Sequence, residues 1–198
     1  MASFESIAAA GRSLERFLNH CFQEEEPIST PGQQTRAVLV RTPDFESSAT
    51  VITPPALSIF LYRVDFNRTM RAAWSAVASR DGRAHLPLDL YFLLTPWANN
   101  ADHELRVLGK AMQSLESTPI LSGPLLDPLA GWSPQEALQV CLADISTEDL
   151  MRTFDSLPTD YRLSVLYLVR VVRIDERTPR PDVPVTTLVT GSVPEVQP

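Results

Sequence analysis

The sequence predicts an α+β domain, a mixed or antiparallel sheet of about four to five strands with helices packed on it. Residues 161–174 are almost all β-branched, aromatic or Leu, and residues 56–67 alternate at period two, as strands do. Residues 3–22 and 105–117 instead repeat apolar side chains every three or four positions, the pattern of a helix laid on a sheet. An Asp81-Gly82 turn signal stands between two strand-like runs and would pair them antiparallel. With 198 residues, 44% of them hydrophobic, the chain can build one core, so residues 1–176 read as one domain and 177–198 as a proline-rich extended tail.

In chain order, Phe4, Ile7, Ala8, Leu14, Phe17, Leu18, Cys21 and Phe22 form the apolar stripe of a first helix, with Ser3 as its cap. The acidic, then Pro/Gly-rich run at 23–35 reads as a solvated loop rather than a partner-binding arm. Residues 36–42 are a short strand, and the long loop at 43–55 is of a length that often serves function. In the next strand Leu57, Ile59 and Leu61 share one face, and Ser58, Phe60, Tyr62, Val64 and Phe66 the other. Its far end changes character: Arg63 and Asp65 replace the apolar residues of their face, and Asn67, Arg68 and Arg71 follow.

Residues 86–95 make a third strand ended by Trp97, and Asn99, Asn100 and Asp102 offer caps for a helix with the stripe Leu105, Leu108, Met112 and Leu115. Four prolines and two glycines in 117–134 predict an ordered irregular crossing. A strand from Ala137 leads to Ser146, whose hydroxyl caps a helix carrying Leu150, Phe154 and Leu157 inward and Glu148 with Arg152 outward, until Pro158 stops it. The final run puts Leu163, Val165, Tyr167, Val169 and Val171 on one face and Leu166, Leu168, Val172 and Ile174 on the other. Both faces are apolar, which describes a central strand covered on both sides. Its fourteen residues would reach roughly 45 Å at about 3.3 Å each, so it bends or overhangs. In the tail, Val183, Val185, Leu188 and Val189 fit either a strand added to a neighbour's sheet edge or a chain without order.

The net charge of −7 argues against nucleic acid as a partner, because phosphate contacts need a basic surface. No long apolar run predicts membrane insertion, and Cys21 with Cys141 as the only cysteines fits a reduced cytosolic setting. All seventeen cationic side chains but Lys110 are Arg, a bias that is genomic or suits bidentate interface contacts. His20, His85 and His103 have no metal-site spacing, and no nucleophile elbow, phosphate loop or dinucleotide fingerprint exists, so no catalytic, cofactor-binding or metal residue is assigned. Asp65 and Asp89 both interrupt apolar strands, as two inward carboxylates or as edge charges. Arg63, Arg68 and Arg71 set against Asp65 fit a subunit or partner contact in which charge fixes register, or a solvated strand end.

Three phrases in order, LSIFLYRVDFNRTMR at 57–71, LPLDLYFLLTPWANN with LRVLGKAMQSLESTPIL at 86–121, and STEDLMRTFDSLPTDYRLSVLYLVRVVRID at 146–175, carry a family resemblance. The chain resembles the cap, or tail-terminator, family of contractile injection systems of the antifeeding-prophage and Photorhabdus-virulence-cassette type, once a family without assigned function. The resemblance implies a fold similar to phage tail-terminator proteins and a structural, non-enzymatic role. It further implies a homohexameric ring that ends inner-tube growth and anchors the last sheath layer. Its partners would be its own copies, the inner-tube protein and the sheath protein, met in the bacterial cytoplasm during assembly of the particle. The alternative is a monomeric adaptor that recruits a partner through its C-terminal tail.

Overall fold

The computed structural model describes residues 3–28, 32–46, 50–71, 73–74, 83–128 and 131–176. One six-stranded sheet has the order β1 (Arg36–Val40), β2 (Ala56–Phe66), β3 (His85–Trp97), β6 (Val165–Asp175), β5 (Ala137–Ala143), β4 (Ile120–Ser122). Only β1 and β2 run parallel, and every other neighbouring pair is antiparallel, including the expected β2–β3 pair. The fold is therefore α+β with a mixed sheet. It has six strands, more than expected, because three residues of the proline-rich crossing pair with β5 as β4, a run too short to show a period. The Asp81-Gly82 turn and the tail with Val183, Val185, Leu188 and Val189 lie outside the described residues.

Helices α1 (Ser6–Glu24) and α3 (Ala101–Ser117) cover one face, where Leu14, Leu18 and Phe22 meet Leu57, Ile59, Phe92, Leu108, Leu115 and Tyr167 in the main core. Gly11 lets α1 sit close, since a Cβ there would stand 3.1 Å from Leu39 Cδ1. The other face carries a smaller core of Phe45, Leu93, Leu150, Phe154, Leu157 and Leu166 under α4 (Thr147–Asp155). Burial on both sides is why β3 and β6 read as nearly continuous apolar runs.

The caps follow sequence chemistry with one correction. Asn100 Oδ1 accepts from the His103 amide (2.9 Å), and Ser146 Oγ from the Asp149 amide (3.0 Å), which satisfies first-turn donors. Ser3 stands two residues before the N-cap Glu5, where its hydroxyl accepts from the Glu5 amide (3.1 Å) and its carbonyl from the Ser6 amide (3.0 Å). Phe4 precedes α1 and is 82% exposed, and Leu105 points outward while Val107 and Ala111 take its place in the buried stripe.

Two bulges correct the expected strand faces. Leu61 pairs with Phe92 but Arg63 pairs with Tyr91, so Tyr62 is an extra residue and the alternation of β2 inverts beyond it. Val64 and Phe66 thereby join the face of Leu57, Ile59 and Leu61, while Arg63 and Asp65 move to the opposite face. In β6, Val169 pairs with Leu90 and Val172 with Leu88, so three steps along β6 match two along β3. Tyr167, Val169 and Val172 all lie in the main core, a grouping that strict alternation forbids. The ladder takes eleven residues of β6, about 36 Å at 3.3 Å each, rather than fourteen. Arg162, before it, stacks 4.1 Å over the Trp97 ring and pairs with Glu104 (3.2 Å).

Candidate assembly surface

The sheet's two sides end differently. Along β1 the outer edge is closed by α1: Asn19 Nδ2 donates to the Ala37 carbonyl (2.8 Å), Asn19 Oδ1 accepts from the Ala37 amide (3.0 Å), and Glu15 Oε1 accepts from the Leu39 amide (3.0 Å). Positions 15 and 19 are one helical turn apart, so both side chains reach along the same strand. The edge offers no free template for another strand.

Among the described residues the far half of β2 has one free side. β1 pairs only as far as Phe60, so residues 61–66 have β3 on one side and no described strand on the other. Arg63, Val64, Asp65 and Phe66 are all exposed, with Val64 at 43% and Phe66 at 52% on the helix-bearing face beyond the reach of the core. On the opposite face the Arg63 guanidinium lies 4.0 Å over the Tyr91 ring, and its Nε is 3.0 Å from the Asp65 carboxylate. Both halves of that pair are about half exposed, so it orients the side chains and adds little stability.

The chain then turns into the single-turn α2 (Arg68–Arg71). Asn67 sets this corner: its amide donates to the Pro87 carbonyl (2.9 Å), its Nδ2 to Asp89 (3.2 Å), and its Oδ1 accepts from the Met70 amide (3.0 Å). Arg68 and Arg71 are exposed and make no ion pair among the described residues. All four expected contact residues thus stand at one tip of the sheet, two on the strand and two on the turn after it. Asp65 and Asp89 face each other across the β2–β3 ladder, but neither is an inward acid: Asp65 is taken up by Arg63 and Asp89 by Asn67.

Sequence reasoning missed the other half of this tip. His85 and Asp175 are ladder partners, 2.6 Å apart and nearly buried, and Arg173 lies 2.7 Å from Asp175 and 3.1 Å from Glu136. The signal for it was Arg173 and Asp175 interrupting the far end of a mostly apolar strand. Open grooves lie elsewhere on the described surface. The one beside Trp97, about 660 Å³, is lined by Asp44, whose carboxyl the Arg41 amide and guanidinium hold below the usual carboxylate range. Among the described residues no three His, Cys, Asp or Glu side chains are grouped to hold a metal ion, and no helix is long and apolar enough to cross a membrane.

The model of the Pvc16 N-terminal domain family matches residues 9–187. Among solved structures, the chain is similar to the PVC sheath/tube terminator of an extracellular contractile injection system in the extended state. The TM-score is 0.53 at 16% identity, over 94% of this chain and 64% of that one. It is similar also to the tube-terminating cap of the anti-feeding prophage, with a TM-score of 0.53 at 17% identity over 97% of this chain and 62% of that one. These likenesses are at the level of fold, and the chain spans a little under two thirds of each solved chain. Comparison with curated protein sequences gives no match.

Proposed function

The chain belongs to the Pvc16 N-terminal domain family, and from that premise we propose that it is the terminator cap of a phage-tail-like contractile injection particle. In this reading it is a structural protein without catalysis. Its copies form a homohexameric ring that ends inner-tube growth and anchors the last sheath layer. It meets the tube and sheath proteins in the bacterial cytoplasm before the particle leaves the cell. The observation that carries the reading is the family match over residues 9–187, supported by the shared fold of two terminators.

A ring joins unlike patches, since each subunit contacts the next head to tail. The tip with Arg63, Asp65, Arg68 and Arg71 is our choice for one of them. Arg68 and Arg71 are cations without a partner among the described residues, on a chain of net charge −7, and an acidic patch on the next subunit would complete them. The body of the ring is made by residues 1–176, with 177–198 extending from it.

The test is native mass at micromolar concentration, alone and with tube and sheath proteins, for the parent chain and Arg68→Glu/Arg71→Glu. The parent is expected near six subunits, at least on the tube. The variant should stay monomeric with a thermal midpoint within about 1 °C, because exposed substitutions seldom change stability. A parent that remains monomeric with tube and sheath present overturns the ring, and a variant that assembles normally removes this patch from it.

A further inference from the structure

We infer, on the premise of that ring, that the groove beside Trp97 is the socket into which the arginine tip of the next copy docks. Trp97 closes β3 opposite Ala56, while Leu88 near the start of β3 lies opposite Phe66, so groove and tip mark the two ends of one strand pair. The eleven residues of β2 set them about 36 Å apart at 3.3 Å each. A head-to-tail ring needs two unlike patches on different sides of each subunit, and opposite strand ends provide them.

The groove has a fixed wall. It encloses about 660 Å³, with Phe45, Ile52, Trp97 and Leu157 as its apolar part. The Trp97 indole is held from three directions. Its Nε1 donates to Ser58 Oγ (2.9 Å), the Phe45 ring centroid lies 6.0 Å away, and the Arg162 guanidinium stacks 4.1 Å over its face. Arg162 is itself tied to Glu104 (3.2 Å), so the wall stands in place before a partner arrives and loses little freedom on contact.

Charge selects the occupant. Glu46 and Asp160 line the groove, are exposed, and make no ion pair among the described residues. The other acid of the groove, Asp44, is held by Arg41 (3.2 Å), and its one cation, Arg162, by Glu104. The free charge is therefore negative. At the tip the sign is opposite: Asp65 answers Arg63, while Arg68 and Arg71 stay exposed and unanswered among the described residues. Two free cations at one end of a subunit thus match two free anions at the far end of the next. One copy cannot join them across the length of its own sheet. Phe66, 52% exposed beside the arginines, brings an aromatic group to the apolar part of the groove. Copies at a net charge of −7 repel one another, and a local match of this kind offsets that repulsion and fixes the register of contact.

Charge reversal at each end tests the pairing, read as native mass at micromolar concentration, alone and with tube and sheath proteins. Arg68→Glu/Arg71→Glu leaves acids at both ends of the subunit, and Glu46→Arg/Asp160→Arg leaves cations at both. Each variant alone should associate at least about tenfold more weakly than the parent. An equimolar mixture of the two should restore a ring in which they alternate. A groove variant that assembles as the parent does overturns the inference and leaves the ring standing, and so does a mixture that stays monomeric. A groove variant that keeps the ring but no longer sediments with tube or sheath assigns the groove to that protein and equally overturns the inference. The shape-preserving Glu46→Gln/Asp160→Asn should also weaken association, and its assembling like the parent counts against the socket even where the reversal disturbs the fold. A parent that stays monomeric with tube and sheath present overturns the ring, and this contact with it.

Discussion

The outer edge of β1 and the outer edge of distal β2 belong to the same sheet, yet among the described residues one is sealed and the other has no strand beside it. At β1, Glu15 and Asn19 occupy three backbone groups of Ala37 and Leu39. At β2, residues past Phe60 have nothing described beside them, and the side chains alternate between charge and exposed apolar surface. Among the described residues the fold therefore closes one of these two edges with a helix and not the other. Among the described residues the backbone groups of this edge have no strand beside them, and such an edge can pair with a further strand.

Removing the clamp gives the largest expected effect. Glu15→Ala with Asn19→Ala leaves buried backbone groups of Ala37 without partners and should cost about 2 kcal/mol, lowering the thermal midpoint by several degrees. Light scattering of this variant should also rise with concentration as β1 becomes a second open edge. An unchanged midpoint would mean that water closes β1 as well as α1 does, and the contrast between the two edges would be lost.

A smaller effect tests the core that both edges share. Tyr167 is fully buried, its hydroxyl has no partner among the described residues, and burial pushes its pKa up to about 12. The unfolded side chain ionises near pH 10. Between pH 10 and 12 the unfolded state thus loses a proton that the folded state keeps, and stability falls as pH rises through this window. The loss should be about 1 kcal/mol at pH 11, absent in Tyr167→Phe, and felt equally at both edges in exchange measurements. The phenylalanine variant should cost little at pH 7, since no hydrogen bond is lost.

The smallest effect belongs to the tip. Arg63→Ala removes an exposed ring contact and an exposed ion pair and should change stability by about 0.5 kcal/mol, with a midpoint shift near the limit of calorimetry. A loss comparable to that of the clamp variant would make Arg63 a structural element of the monomer and weaken its assignment to a contact between subunits.

Much of this was legible from local pattern. The helices announced themselves through periodicity and the hydroxyl or amide at Ser146 and Asn100, and the central strands through continuous apolar runs. Arg63, Asp65, Arg68 and Arg71 could be placed at one strand end because they are close in sequence. Features that depend on a partner far along the chain were not legible. Tyr62 becomes a bulge only through β3, so the alternation that correctly oriented Leu57 and Ile59 misplaced Arg63 to Phe66. β4 exists only through β5, and the Asn19 clamp only through β1. Nothing near His85 in sequence suggests a partner for it, and the carboxylate it meets is 90 residues away.

The bulge at Tyr62 also bears on how this strand tolerates changes of length. Removing that one residue would bring Leu61 and Arg63 into regular succession and leave Val64 and Phe66 on the helix side, Arg63 and Asp65 on the other. Inserting or deleting a residue at Ile59 offers no such absorber and would exchange what is buried for what is bare. Within this strand, then, a single-residue deletion is best accommodated at position 62, and variants shortened there should keep their tip chemistry facing the same way.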